Sequence, residues 1–204
     1  MISTYTDLKA SVARYLARTD LTDQIPDFIR FAENRLRRDV RIRQMLKVVT
    51  TDTVAGDSTV ELPSDFLELR DFVVVSNPIQ PLKYESPSAF SREQKTTQSG
   101  VPELYTVLAS EFQLAPVPDY AYPLKMLYFA APEYLSDTVP TNVWMQTMSD
   151  ALLYGALLEA ESYLMNDPRV GTWGTLFDRA VNSVEKSDER SQYSGVPLVI
   201  KTLR

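Results

Sequence analysis

Ten of the thirteen prolines fall between Pro63 and Pro140, and this uneven punctuation constrains the fold more than any motif does. An interior proline removes a helical hydrogen bond and collides with the preceding turn, so no long helix can cross the middle of the chain. The flanking regions hold only Pro26, Pro168 and Pro197 and carry helical periodicity. The order therefore predicts an α+β fold, in which N- and C-terminal helices form a helical bundle around an inserted small antiparallel β domain, with an extended C-terminal tail. The corresponding domains are 1–47 with 141–193 for the bundle, 48–140 for the β insert and 194–204 for the arm.

Leu8, Val12, Tyr15 and Leu16 stand at i, i+4, i+7 and i+8 and define a first helix, with Thr6 read as its N-cap and Asp7 in its first turn. A second helix is expected from about 22–26 to Val40. Ile25, Ile29, Ala32 and Leu36 form its apolar stripe, Phe28 lies beside them, and Arg30, Arg35, Arg37 and Arg38 occupy the other faces. After Pro140, Asn142 is positioned to cap a helix running to about Met165. Its run from Ala151 to Leu158 has no charge on any face, which places this helix either at the centre of a bundle or under another chain. Asp167-Pro168 reads as a cap followed by proline at the first helical position. The last helix then buries Val170, Trp173, Phe177, Ala180 and Val184, leaving Asp178, Asn182, Glu185 and Lys186 on its wetter faces.

Between these helices, β-branched runs alternate with turn residues. Residues 47–54 and 58–62, joined by Ala55-Gly56-Asp57, read as a hairpin in which Gly56 supplies a positive φ. Further strands are predicted at 67–75, 82–84, 104–108, 112–114 and 124–130, a spacing that fits a small antiparallel sandwich or barrel-like sheet. The polar stretch Ser91–Gly100 reads as an exposed loop able to contact a partner.

The chain contains neither cysteine nor histidine. Disulfides, Cys/His zinc sites, thiol catalysis and Ser-His-Asp triads are excluded, and a general base at neutral pH would have to be a perturbed carboxylate, lysine or tyrosine. No cofactor or metal is expected, and no enzymatic activity. The polar opening from Met1 to Asp7 is not a secretory signal, so the chain is expected to be made and kept inside a cell. The charge-free run at 151–158 is far shorter than the roughly 20 residues that span a bilayer.

The net charge of −6 is unevenly spread. Residues 1–47 carry 10 Lys+Arg against 6 Asp+Glu, 48–142 carry 5 against 13, and 143–204 carry 6 against 8. The densest basic feature is Arg35, Arg37, Arg38, Arg41, Arg43 and Lys47. Cations suit a helix C-terminus; the same residues can also pair with acidic groups of a neighbouring subunit or partner, or with phosphates.

Acidic clusters at Asp65, Glu68 and Asp71, at Glu159 and Glu161, and at Asp188 and Glu189 read as solvated surface. Gly171–Gly174 lacks the strand and the Gly-Lys-Ser/Thr of a nucleotide loop. Tyr120, Tyr122, Tyr128, Phe129 and Tyr134 read as sheet core with some tyrosine at a subunit contact. The tail from Ser194 to Arg204 is apolar and β-prone and can reach roughly 36–40 Å when extended. It suits either a last strap on its own domain or an arm that adds to a partner.

Taken in order, the parts resemble the head-to-tail adaptor (connector) proteins of short-tailed bacteriophages. The resemblance is carried by Phe31-Ala-Glu-Asn-Arg-Leu-Arg-Arg-Asp-Val-Arg-Ile-Arg43, Leu62-Pro-Ser-Asp-Phe-Leu-Glu-Leu-Arg70, Gly100-Val-Pro-Glu-Leu-Tyr105 and Leu114-Ala-Pro-Val-Pro118. It continues in Leu153-Tyr-Gly-Ala-Leu-Leu-Glu-Ala160, Asp167-Pro-Arg-Val-Gly-Thr-Trp173 and Arg190-Ser-Gln-Tyr-Ser-Gly195. It implies a virion structural protein of the phage neck, made in the host bacterial cytoplasm, that forms a twelve-subunit ring beneath the portal. Such a ring extends the channel through which genomic DNA passes without sequence-specific binding, and offers its lower face to the tail nozzle protein. No membrane is involved.

The resemblance further implies portal binding by Val196, Pro197, Leu198, Val199, Ile200, Lys201, Thr202, Leu203 and Arg204. Arg35, Arg37, Arg38, Arg41 and Arg43 are candidates for electrostatic contact with a neighbouring subunit or the portal. The alternatives are another phage neck or tail-completion protein, a DNA-binding packaging protein using the basic second helix, and a carboxylate-dependent hydrolase.

Overall fold

The computed structural model describes residues 2–18, 20–93, 99–164 and 167–193. Along it run α1 (Tyr5–Leu16), α2 (Ile25–Asp39), a 3-10 turn (Arg43–Met45), and strands β1 (Leu46–Asp52), β2 (Thr59–Glu61), β3 (Phe66–Val74), β4 (Gln80–Pro81) and β5 (Lys83–Tyr84). A short α3 (Pro87–Glu93) precedes β6 (Leu104–Leu108), β7 (Glu111–Ala115) and β8 (Pro123–Ala130). The chain closes in α4 (Val143–Glu159), α5 (Glu161–Leu164) and α6 (Val170–Tyr193). The α+β class and the helices at both ends agree with the reading from the sequence. Two compact units result: residues up to Gln44 together with those from Pro132 onward, and Met45–Ala131.

In the helical unit α4 is central, packed upon by α1, α2 and α6. Trp144, Ala151, Leu152, Ala156 and Leu157 are fully buried, and in the uncharged run only Tyr154 and Leu158 remain half-exposed. Coverage by another chain is therefore not what makes this run apolar; its own unit covers it. Gly155 allows the close packing, because a Cβ there would lie 3.0 Å from the Ala32 Cβ on α2 and 3.2 Å from the Phe177 ring on α6. Met148, with φ −149° and ψ 50°, kinks α4, and the helix stops at Glu159 instead of running to Met165.

The α1 cap is Thr4, not Thr6. Thr4 Oγ1 accepts the Asp7 N–H at 3.2 Å while Asp7 Oδ2 accepts the Thr4 N–H at 3.1 Å, a reciprocal box that satisfies two donors at once. The helix starts early because Tyr5 is buried and its N–H donates to the Pro140 carbonyl at 2.8 Å. Nor is Pro168 the first residue of α6. Asp167 accepts the Arg169 N–H at 2.9 Å and binds its guanidinium at 2.6 Å, so 167–169 is a turn that delivers the chain to Val170.

The β unit is a sandwich of two four-stranded sheets, ordered β1-β8-β3-β4 and β2-β7-β6-β5. The predicted hairpin between residues 47 and 62 does not form. Gly56 has the expected positive φ of 83°, but β1 pairs with β8 and β2 with β7, so the turn passes the chain from one sheet to the other. The strand expected at 82–84 is present as β5, which lies parallel to β6, while the preceding Gln80–Pro81 forms a separate β4 that joins β3 in the opposite sheet. Between the sheets lie Phe72, Val74, Phe112, Leu114, Leu124, Met126 and Tyr128. The Phe72 and Phe112 rings meet at 5.0 Å. The predicted loop at 91–100 begins as helix, since buried Phe90 anchors α3 through Ser91 and Arg92. Ser99 bridges to Val117, and 94–98 lie outside the described residues.

Candidate functional site

The basic run extends from α2 to the 3-10 turn, and the structure divides its arginines by environment. Arg37 donates to the Tyr134 hydroxyl at 2.7 Å, and that hydroxyl donates to Asn34 Oδ1 at 2.7 Å. The guanidinium carbons of Arg30 and Arg37 lie 3.8 and 4.8 Å from the Tyr134 ring centroid, a cation–π arrangement that fixes the segment returning from the β unit. Tyr134 thus belongs to the helical unit, unlike Tyr128, which is buried between the sheets, and Phe129, which follows it on β8.

Arg35 stacks on Phe177 at 4.6 Å. Arg41 Nη1 donates to the Arg37 and Val40 carbonyls at 2.9 and 2.8 Å, closing the negative end of α2 as the macrodipole favours. Arg38 and Arg43 stand exposed. Of the five arginines singled out, Arg35, Arg37 and Arg41 thus work inside the unit and two side chains face outward.

Beneath this rim lies Glu33, only 1% exposed. Its Oε1 accepts the Leu135 N–H at 2.9 Å and Asn142 Nδ2 at 2.9 Å. Asn142 also donates to the Glu133 carbonyl at 2.9 Å, and its Oδ1 accepts the Met145 N–H at 3.0 Å, capping α4 as expected. Glu33 Oε2 has no hydrogen-bond partner. Burial pushes the Glu33 carboxyl up to about 7, against the opposing pull of the Leu135 N–H, Arg30, Asn142 and Arg37. One side chain therefore ties α2, the returning segment and the start of α4 together.

A second carboxylate secures the outgoing strand. Asp188 on α6 is buried and accepts the Arg43 N–H at 3.1 Å, which corrects its reading as solvated surface beside Glu189. Both residues had a signal in the sequence. Glu33 lies four residues after Ile29, and Asp188 four after Val184, so each continues an apolar stripe.

Asp65, from the first acidic cluster, is also structural. It binds Lys47 at 2.7 Å and the Tyr128 hydroxyl at 2.8 Å; burial raises its pKa, but these two partners outweigh that effect and hold the carboxyl below its ordinary range. Among the described residues no group of three or more carboxylates is placed to hold a metal ion, and no helix is long and apolar enough to cross a membrane. The candidate portal-binding residues Val196 to Arg204 lie outside the described residues.

A helical unit whose outgoing and returning strands are pinned by Asp188 and Glu33, and which carries an inserted sandwich, defines an α+β protein of the two-unit, insert-bearing class. The chain belongs to the SU10 adaptor protein family, whose model matches residues 3–200. It is a bacteriophage adaptor, a virion component that associates with other parts of the phage neck. A comparison with curated proteins finds no match.

Proposed function

We propose that this adaptor forms a ring, of twelve copies, that joins the portal to the tail nozzle protein and extends the channel through which DNA passes. Membership of the adaptor family across residues 3–200 is the observation that carries the reading. The acidic β unit supports it, since a surface along which DNA slides should not grip phosphates. In this reading Val196–Arg204 docks on the portal as an arm, and the outward Arg38 and Arg43 serve contacts with neighbours. The inward placement of Arg35, Arg37 and Arg41 leaves little of the basic helix for duplex binding.

The test is the native mass of the chain mixed with its phage's purified portal ring, beside each component alone. A discrete complex with many adaptor copies is expected, and clean separation at high concentration overturns the reading. Deleting residues 196–204 is expected to leave the unfolding midpoint of the helical unit unchanged while weakening portal binding at least about tenfold, roughly 1.4 kcal/mol. Unchanged affinity of the truncated chain rules out the arm.

A further inference from the structure

At one end of the sandwich, the turn after β1 and the loop between β7 and β8 are fastened into a single platform. Thr53, itself buried, donates through Oγ1 to the Tyr120 carbonyl at 2.9 Å and accepts the Tyr122 N–H at 2.8 Å. The Thr53 N–H reaches the Tyr122 carbonyl at 3.0 Å, and the Gly56 N–H reaches the Pro118 carbonyl at 2.8 Å. The Tyr122 hydroxyl donates to Asp119 at 2.6 Å. These bonds hold rigid a surface that the fold itself does not use.

Val54 is 64% exposed and Tyr120 69%, and around them Asp52, Asp57 and Asp119 are exposed as well. Residues 48–58 and 116–122 contain no lysine or arginine. An exposed tyrosine whose own loop and facing turn carry carboxylates and no lysine or arginine matches a guanidinium, which stacks on tyrosine and forks onto carboxylates. The helical unit exposes that chemistry at Arg38 and Arg43.

We infer that the acidic, aromatic tip of the sandwich in one copy receives Arg38 and Arg43 of a second copy. The inference rests on the ring reading and adds the surfaces that build the ring. In the ring each copy offers its sandwich tip to one neighbour and its arginines to the other, a head-to-tail contact that closes where the rotation between copies divides a full turn.

The chain has no native cysteine, so a full-length Tyr120→Cys variant and a full-length Arg38→Cys variant can be oxidised separately and as a mixture, each with the purified portal. The mixture is expected to give a cross-linked pair at about tenfold the yield of either variant alone. In parallel, Asp52→Lys with Asp119→Lys is expected to reduce multi-copy assembly about tenfold, as like-charge contacts do. Combining it with Arg38→Glu and Arg43→Glu in the same chain is expected to restore assembly. If the unmodified chain forms no multi-copy complex with the portal, the ring reading fails and this contact fails with it. A multi-copy complex that forms normally, gives no cross-link above the single-variant background and ignores both charge reversals overturns the contact alone.

Discussion

Replacing Glu33 by glutamine is expected to remove about 3 kcal/mol of pH dependence from the stability of the helical unit. The Glu33 carboxyl titrates near 7 in the folded chain against 4.5 for the free group, and each unit of difference is worth about 1.4 kcal/mol. A folded-state pKa above the unfolded one means that the folded form binds the extra proton. The stabilisation is therefore complete below about 4.5 and lost as the pH rises through 7. Glutamine keeps an oxygen for the Leu135 N–H and Asn142 but has no proton to lose.

Trp144 and Trp173 are the chain's two tryptophans, both buried in the helical unit, so their fluorescence reports this unit during denaturation. Urea curves at pH 5, 6, 7 and 8 are expected to diverge, the wild type losing ground to Glu33→Gln as the pH rises. Parallel curves would sink the assignment. The lowered aspartates, such as Asp7 and Asp57, lose their contribution only as the pH falls through a more acidic range, and they are common to both proteins. Glu33→Ala strands two buried donors and is expected to cost about 2–4 kcal/mol at any pH in this window.

The second large effect is expected at Gly155. Alanine there brings a Cβ to 3.0 Å from the Ala32 Cβ, an atom fixed to its backbone that cannot rotate away, so the roughly 1 kcal/mol of helix propensity gained over glycine is offset by the clash. Gly155→Leu must push α2 and α6 away from α4 and is expected to cost at least about 3 kcal/mol, the upper range for overpacking. The same tryptophan signal in urea reads the loss; an unchanged midpoint for the leucine variant would mean that α4 is not gripped on both sides.

Much of this architecture was legible in the sequence because its signals are local. The stripes Ile25–Leu36 and Val170–Val184 identify α2 and α6, Asn142 caps α4 as its position implies, and proline spacing marks the β insert. The hairpin reading failed for a non-local reason. A turn with positive φ at Gly56 serves equally to return a strand along its neighbour or to cross between sheets, and only the pairing of β1 with β8, some seventy residues away, decides. The candidate site was legible in part. Five arginines could be picked out by charge density, but whether a guanidinium faces Tyr134, Phe177 or water depends on contacts made across the fold. Glu33 and Asp188 were hidden by the habit of assigning carboxylates to the surface, although their places on apolar stripes marked them.

The two buried carboxylates have a consequence for how this protein can diverge. Between Gln44 and Pro132 the chain inserts 87 residues, Met45 to Ala131, and both junctions are fastened on the helical side, Arg43 to Asp188 and Leu135 to Glu33. For the bundle, the insert is a closed loop whose entropic cost grows only with the logarithm of its length, about 0.6 kcal/mol for a doubling. Lengthening or trimming turns of the sandwich thus barely alters the stability of the helices. As long as the clasp residues stay, the inserted unit is free to vary its outer loops to follow the surfaces of changing partners while the bundle retains its sequence.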